Sequence, residues 1–244
     1  MFKLTKYLKM KHLRIIHIII ISVTCFCLSN CKYINSVSMK PFDGSVLITS
    51  KKEIIKTLKD KCVDTISFKK GETIADVGAA NGSIEAMLSM FHDSLTFYIQ
   101  DIDTSVCNQK TINKVVESYQ DLNGRPFTNE FIVIKGTDNV TNLPDDTFNK
   151  ILMLWTYQYF RNPKGIMKDL RLKLKNEGLM YIINPDRNNY SGKVLTAEHG
   201  WNASPIEKQI SDIIDCGFEL IRMSRNYESP ETPYIMIFKK RIPC

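Results

Sequence analysis

The chain of 244 residues is long enough for one substantial α/β core and too short to divide comfortably into two. A hydrophobic fraction of 43% with 24% charged residues excludes a disordered or fibrous protein. The net charge of +7 is an end effect: five of the 33 basic residues lie in residues 1–30, which hold no acid, and the remaining 28 face 26 acids, so the charge points to no nucleic-acid partner.

In chain order, the first thirty residues read as an address. Lys3, Lys6, Lys9, Lys11 and Arg14 precede IIHIIIISVTCFCL, fourteen mostly apolar residues. That length suits the h-region of a secretory signal and falls short of the roughly 20 residues that span a bilayer. The run ends in Leu28-Ser29-Asn30-Cys31, which resembles the lipobox of bacterial lipoproteins, with Asn30 where a small residue is usual. The resemblance implies cleavage before Cys31 and a lipid on that cysteine. An uncleaved helix beginning near Leu13 is the alternative. Residues 1–31 are therefore expected to be a signal peptide or membrane anchor that exports the domain to the periplasmic or extracellular side as a lipoprotein. A membrane anchor with the domain facing the cytoplasm is the competing expectation. Beyond this segment Cys62, Cys107, Cys216 and Cys244 contain no CxxC pair, so buried thiols are expected and a metal site is not.

Residues 32–49 are expected to be a linker and residues 50–244 the folded domain. Ser50-Lys51-Lys52-Glu53 has the spacing of a capping box, and Ile54, Ile55, Leu58 and Cys62 follow at helical intervals. The pattern then alternates: strand 73–77, helix 83–91, strand 96–100, helix 105–119, strands 131–135 and 150–154, helix 164–174 and strand 179–183. Alternation of this kind predicts crossover connections and a mainly parallel sheet with helices on both faces. Ser204-Pro205-Ile206-Glu207 repeats the capping-box spacing, with proline expected at the first helical position, and that helix is expected to stop near Cys216-Gly217. FELIRMS and YIMIFKK, joined by a connection too short for a helical crossover, predict an antiparallel hairpin.

The stretch ADVGAANGS, residues 75–83, is the chemically informative one. A strand ending at Val77 and turning through Gly78, Ala79, Ala80 and Gly82 into a helix puts bare backbone at the carboxyl edge of the sheet, where α/β proteins bind nucleotides. The dinucleotide fingerprint needs a glycine where Ala80 stands, and no Gly-Lys-Ser/Thr of a P-loop follows. A ligand with a ribose and no phosphate remains.

IADVGAANGS resembles the first motif of class I S-adenosylmethionine (SAM)-dependent methyltransferases, with Ala80 for the motif's middle glycine. Three further stretches agree in order: YIQDID, GTDNVTNLPDDTFNKILML and LKNEGLMYII. The resemblance covers roughly residues 50–240. It implies a Rossmann-like doubly wound α/β sheet of seven strands in the order 3-2-1-4-5-7-6, with strand 7 antiparallel and helices on both faces. It also implies SAM as cofactor, held by Asp76, Gly78, Ala79, Ala80, Gly82, Asp101, Ile102, Asp138, Asn139 and Trp155. In that scheme Asp101, closing the second strand, accepts from the ribose hydroxyls, with Asp103 as the other candidate. Ile102 contacts adenine, and Asp138 accepts from the adenine amino group.

For the methyl acceptor, expected to be a small molecule, the chain offers aromatic residues after the fourth strand. Tyr157 and Tyr159 in LWTYQYFRNP, and His199 in the loop AEHGWNASP, are the pocket candidates. Gln158 and Tyr159 stand where some relatives carry a His-His pair, so no general base is assigned. A non-catalytic, exported binding module with the same fold is the alternative function. His92 is expected to serve as a cation at the end of the first-motif helix.

Overall fold

A computed structural model of the chain describes residues 50–185, 204–224 and 233–241. Seven strands are formed: β1 (Thr73–Val77), β2 (Thr96–Asp101), β3 (Glu130–Lys135), β4 (Phe148–Leu154), β5 (Leu174–Pro185), β6 (Phe218–Ser224) and β7 (Pro233–Lys240). They make one sheet in the order β3-β2-β1-β4-β5-β7-β6, the order expected from the family resemblance. β1 to β5 pair in parallel, and β7 runs antiparallel to both β5 and β6, so the terminal hairpin is present.

Five helices flank the sheet among the described residues: α1 (Lys51–Asp60), α2 (Ser83–Leu88), α3 (Gln109–Asn123), α4 (Pro163–Lys173) and α5 (Ile206–Asp215). Ser50 caps α1 by accepting from the Glu53 amide at 3.2 Å, as the capping-box spacing predicts. Side chains alternate along β1, and this divides the core in two. Ile74 joins the cluster that packs α1, α2 and α3, whereas Ala75 and Val77 join the one that packs α4 and α5. Asp76 shares the face of Ile74 and therefore points at α2. The strands buried on both faces are near-continuous apolar runs, which is what a parallel sheet between two helical layers requires.

Several local expectations are corrected. Helix α3 starts at Gln109 rather than Ser105 because the Asn108 side chain accepts from the Thr111 amide at 3.0 Å. Upstream of it, Asp103 folds Ser105 into a separate turn. Pro205 is the cap of α5 and not its first helical residue: its carbonyl accepts from the Lys208 and Gln209 amides, and no side chain caps the helix. The fifth strand begins at Leu174 rather than at residue 179, so the LKNEG segment runs inside β5, with a register irregularity against Phe148 and Lys150. Helix α2 ends at Leu88, and His92 packs against Phe68 with the rings tilted by 56° and their centroids 5.1 Å apart. Burial there lowers its pKa and favours the neutral imidazole, so it is not the helix-end cation.

Candidate ligand site at the switch point of the sheet

The chain leaves β1 toward β2 and β3 but reaches β5 from β4, so the connections diverge between β1 and β4. A crevice opens at the carboxyl ends of such strands. Here it holds a cavity of about 380 Å³, in the range of small-molecule sites.

The glycine turn forms one wall. Gly78 has φ +80°, and a β-carbon there would lie 2.7 Å from Thr156 Oγ1, with the rest of the Thr156 side chain closer still or nearby. Only glycine lets the end of β4 approach this turn. Ala80 adopts φ +51°, an uncommon conformation for a residue with a β-carbon. Its amide donates to Asp101 Oδ2 at 3.0 Å, and the Asp103 amide donates to Asp101 Oδ1 at 2.9 Å. The strand-end carboxylate is therefore locked in orientation by two backbone donors, while its oxygens retain lone pairs toward the cavity. Asp103, the other ribose candidate, accepts from the Ser105 amide at 2.9 Å and serves that turn.

The opposite wall is built after β4. Trp155 has φ +62° and hangs its amide on the Ile183 carbonyl at 2.7 Å. Trp155, 36% exposed as a residue, lines the cavity, with Lys61 Nζ 4.7 Å from its ring centroid, within cation–π range. Tyr159, Phe160 and Arg161 continue the wall, and Arg161 pairs with Asp138 at 3.3 Å. Ile102 and Val106 offer an apolar surface beside Asp101.

Asp76 belongs to the wall, and a second acid lies buried behind it. Asp76 is 3% exposed and Glu85, from α2, is fully buried; as carboxylates, Asp76 Oδ1 and both Glu85 oxygens lack a donor. Burial raises both pKa values, Asp76 well above its ordinary value, and each acts on the other. Burial, with Asp101 and this pair nearby, also pushes the Cys107 thiol up to about 12. Among the described residues no cluster of ligands for a metal ion is present.

Of the residues singled out in the sequence, Asp76, Gly78, Ala79, Ala80, Asp101, Ile102, Asp103, Asp138, Trp155 and Tyr159 converge on this cavity. Gly82 does not line it: its φ of +71° and the 2.7 Å that would separate a β-carbon from Ile99 Cδ1 show that it seats α2 against the sheet. Asn139 accepts from Asn162 Nδ2 at 3.0 Å on the exposed surface. Tyr157 is 1% exposed and packs edge-on against Phe160 in the core, so it is not at the cavity wall. His199 lies outside the described residues. Lys61, Glu85, Thr156, Phe160 and Arg161 complete the site's surroundings and carried no motif. Glu85 alone left a signal, as the one acid in the otherwise apolar stretch IEAML.

The fold is shared with methyltransferases of solved structure. A structure of the complex between the Haloferax volcanii Trm112 methyltransferase activator and a methyltransferase superposes with a TM-score of 0.60 at 12% identity, over 80% of this chain and 94% of that one. A SAM-dependent methyltransferase from Aquifex aeolicus gives a TM-score of 0.55 at 20% identity, over 78% and 97%. One from Methanosarcina mazei gives 0.55 at 16%, over 74% and 98%. No protein-family model and no curated protein matches the chain.

Proposed function

We propose that the protein is a SAM-dependent methyltransferase acting on a small-molecule acceptor. The observation that supports this most is Asp101, at the end of β2, held by the Ala80 and Asp103 amides with its carboxylate at the cavity. A strand-end carboxylate so oriented can accept from both hydroxyls of a ribose. Gly78 to Ala80 supply close backbone, Ile102 and Val106 an apolar surface for a flat base, and Asp138 an acceptor for its amino group. SAM, when bound, supplies an activated methyl group on a sulfonium. The protein's remaining tasks are to align an acceptor with it and exclude water. The Trp155 ring can favour the sulfonium cation, and Tyr159 and Phe160 shape the acceptor side. A cavity of about 380 Å³ suits a cofactor with little room for a macromolecular chain, which favours a small acceptor.

The test is equilibrium binding of SAM to the full chain and to Asp101→Ala. Affinity should fall at least about tenfold in the variant, a loss of roughly 1.4 kcal/mol, with its circular dichroism unchanged. Equal affinity removes Asp101 from the site.

We further propose attachment to a membrane by residues 1–31, with export of the domain; the basic start, the fourteen-residue apolar run and Leu28 to Cys31 support this. Among the described residues no helix is long and apolar enough to cross a membrane, so this segment would carry the attachment. Cys31→Ala should abolish incorporation of labelled lipid; a mature chain that retains residues 1–30 contradicts the lipoprotein form.

A further inference from the structure

Asp76, a carboxylate at the wall of the cavity, has an acidic partner. Asp76 on β1, at the cavity wall, meets Glu85 on α2 behind it, because strand alternation turns Asp76 toward α2 and the Gly82 turn seats that helix against the sheet. Glu85 is 0% exposed and Asp76 3%, with Asp76 Oδ1 and both Glu85 oxygens shut away from water. Two adjacent buried carboxylates are acceptors only, and three of their four oxygens would then face no donor. One retained proton changes this, since the protonated carboxyl donates to its neighbour.

We propose that Asp76 and Glu85 hold one proton between them, and that through this pair Glu85 acts as a positioning residue making the cavity prefer a cationic ligand to its neutral counterpart. The inference rests on the cofactor reading above. In the free protein the pair carries one negative charge. A sulfonium or ammonium arriving at Asp76 stabilises the doubly ionised pair, so an O–H bond of the pair breaks, its electrons stay on the carboxylate, and the proton leaves to solvent. SAM has the sulfonium; S-adenosylhomocysteine has an uncharged thioether at the same place and draws the proton off less.

The other groups facing the pair are few. Lys61, after α1, favours ionisation of both acids. Asp101, on β2, opposes it at Asp76, and the Cys107 thiol before α3 stays neutral. Desolvation of both acids, joined at Asp76 by the proximity of Glu85, outweighs Lys61 and holds both above the ordinary carboxylate range.

The test is calorimetric titration of the full chain with SAM and with S-adenosylhomocysteine, in buffers of different ionisation enthalpy. Wild type should release up to one proton on binding SAM and clearly less on binding S-adenosylhomocysteine. Its affinity ratio for the two should rise with pH, by at most tenfold per unit, across the window in which the pair keeps its proton. Glu85→Gln, whose amide donates to Asp76 at all pH values, should release no proton and show a flat ratio. Equal or absent proton release in wild type, or an unchanged pH dependence in Glu85→Gln, overturns the proposal; the wild-type titration decides alone where the variant does not fold.

Failure of both ligands to bind would refute the cofactor reading, and stability then tests the pair separately. Because the folded pKa values are raised, the native state binds more protons than the unfolded one above about pH 4. The pair's contribution is present below that pH and is lost as pH rises through the folded values. Wild type should therefore lose denaturation midpoint with rising pH where Glu85→Gln does not. Parallel curves would contradict the shared proton.

Discussion

Thr156 occupies the space that a β-carbon on Gly78 would need: its Oγ1 would stand 2.7 Å from that carbon, and its hydroxyl donates to the Gly78 carbonyl at 3.3 Å. The first turn of the sheet and the end of β4 are thus built against each other, and the glycine is required for that approach before any ligand is considered.

Gly78→Ala should destabilise the fold by about 3 kcal/mol, combining a left-handed alanine with steric overlap. Thr156→Gly removes the overlapping atoms, so the double variant should recover a good part of that loss. Additive effects in chemical denaturation would show that the φ of Gly78 alone sets the requirement.

At the opposite edge of the sheet, Lys150 bonds to both carboxylate oxygens of Glu72 in a pair whose side chains are 7% and 12% exposed. Lys150→Met leaves a poorly solvated carboxylate and should cost about 3 kcal/mol. Adding Glu72→Leu should restore most of it, and SAM affinity should be unchanged in both, since the pair lies at the far end of β1 and β4 from the cavity. A single variant as stable as wild type would contradict the burial of Glu72.

Much of this architecture was legible in the residues. TIADV, TFYIQ and KILML form the expected strands because apolar runs flanked by turn residues must be buried on both faces. Asp101 was legible too, because a carboxylate closing an apolar strand has no packing use. The tyrosines were not. Residues 157 and 159 fall in a 3-10 turn, where positions two apart point in different directions, so Tyr157 enters the core while Tyr159 meets the cavity. Gly82 looked like its companion Gly78, but the reason for it is Ile99 and Ile112, which lie far along the chain. Lys61 reaches Trp155 only through the packing of α1, a tertiary fact that no local pattern encodes.

The central claim is that the cavity between β1 and β4 binds SAM. The most direct measurement is thermal denaturation of the full chain with SAM, with S-adenosylhomocysteine, and with NAD as control. At a hundred times the dissociation constant, a ligand of the native state adds about 2.7 kcal/mol. The account predicts a clear rise in Tm with the two sulfur nucleosides and none with NAD. No shift with either of the first two, at saturating concentration, would contradict it and leave Gly78 and Asp101 as devices for turning a strand into a helix.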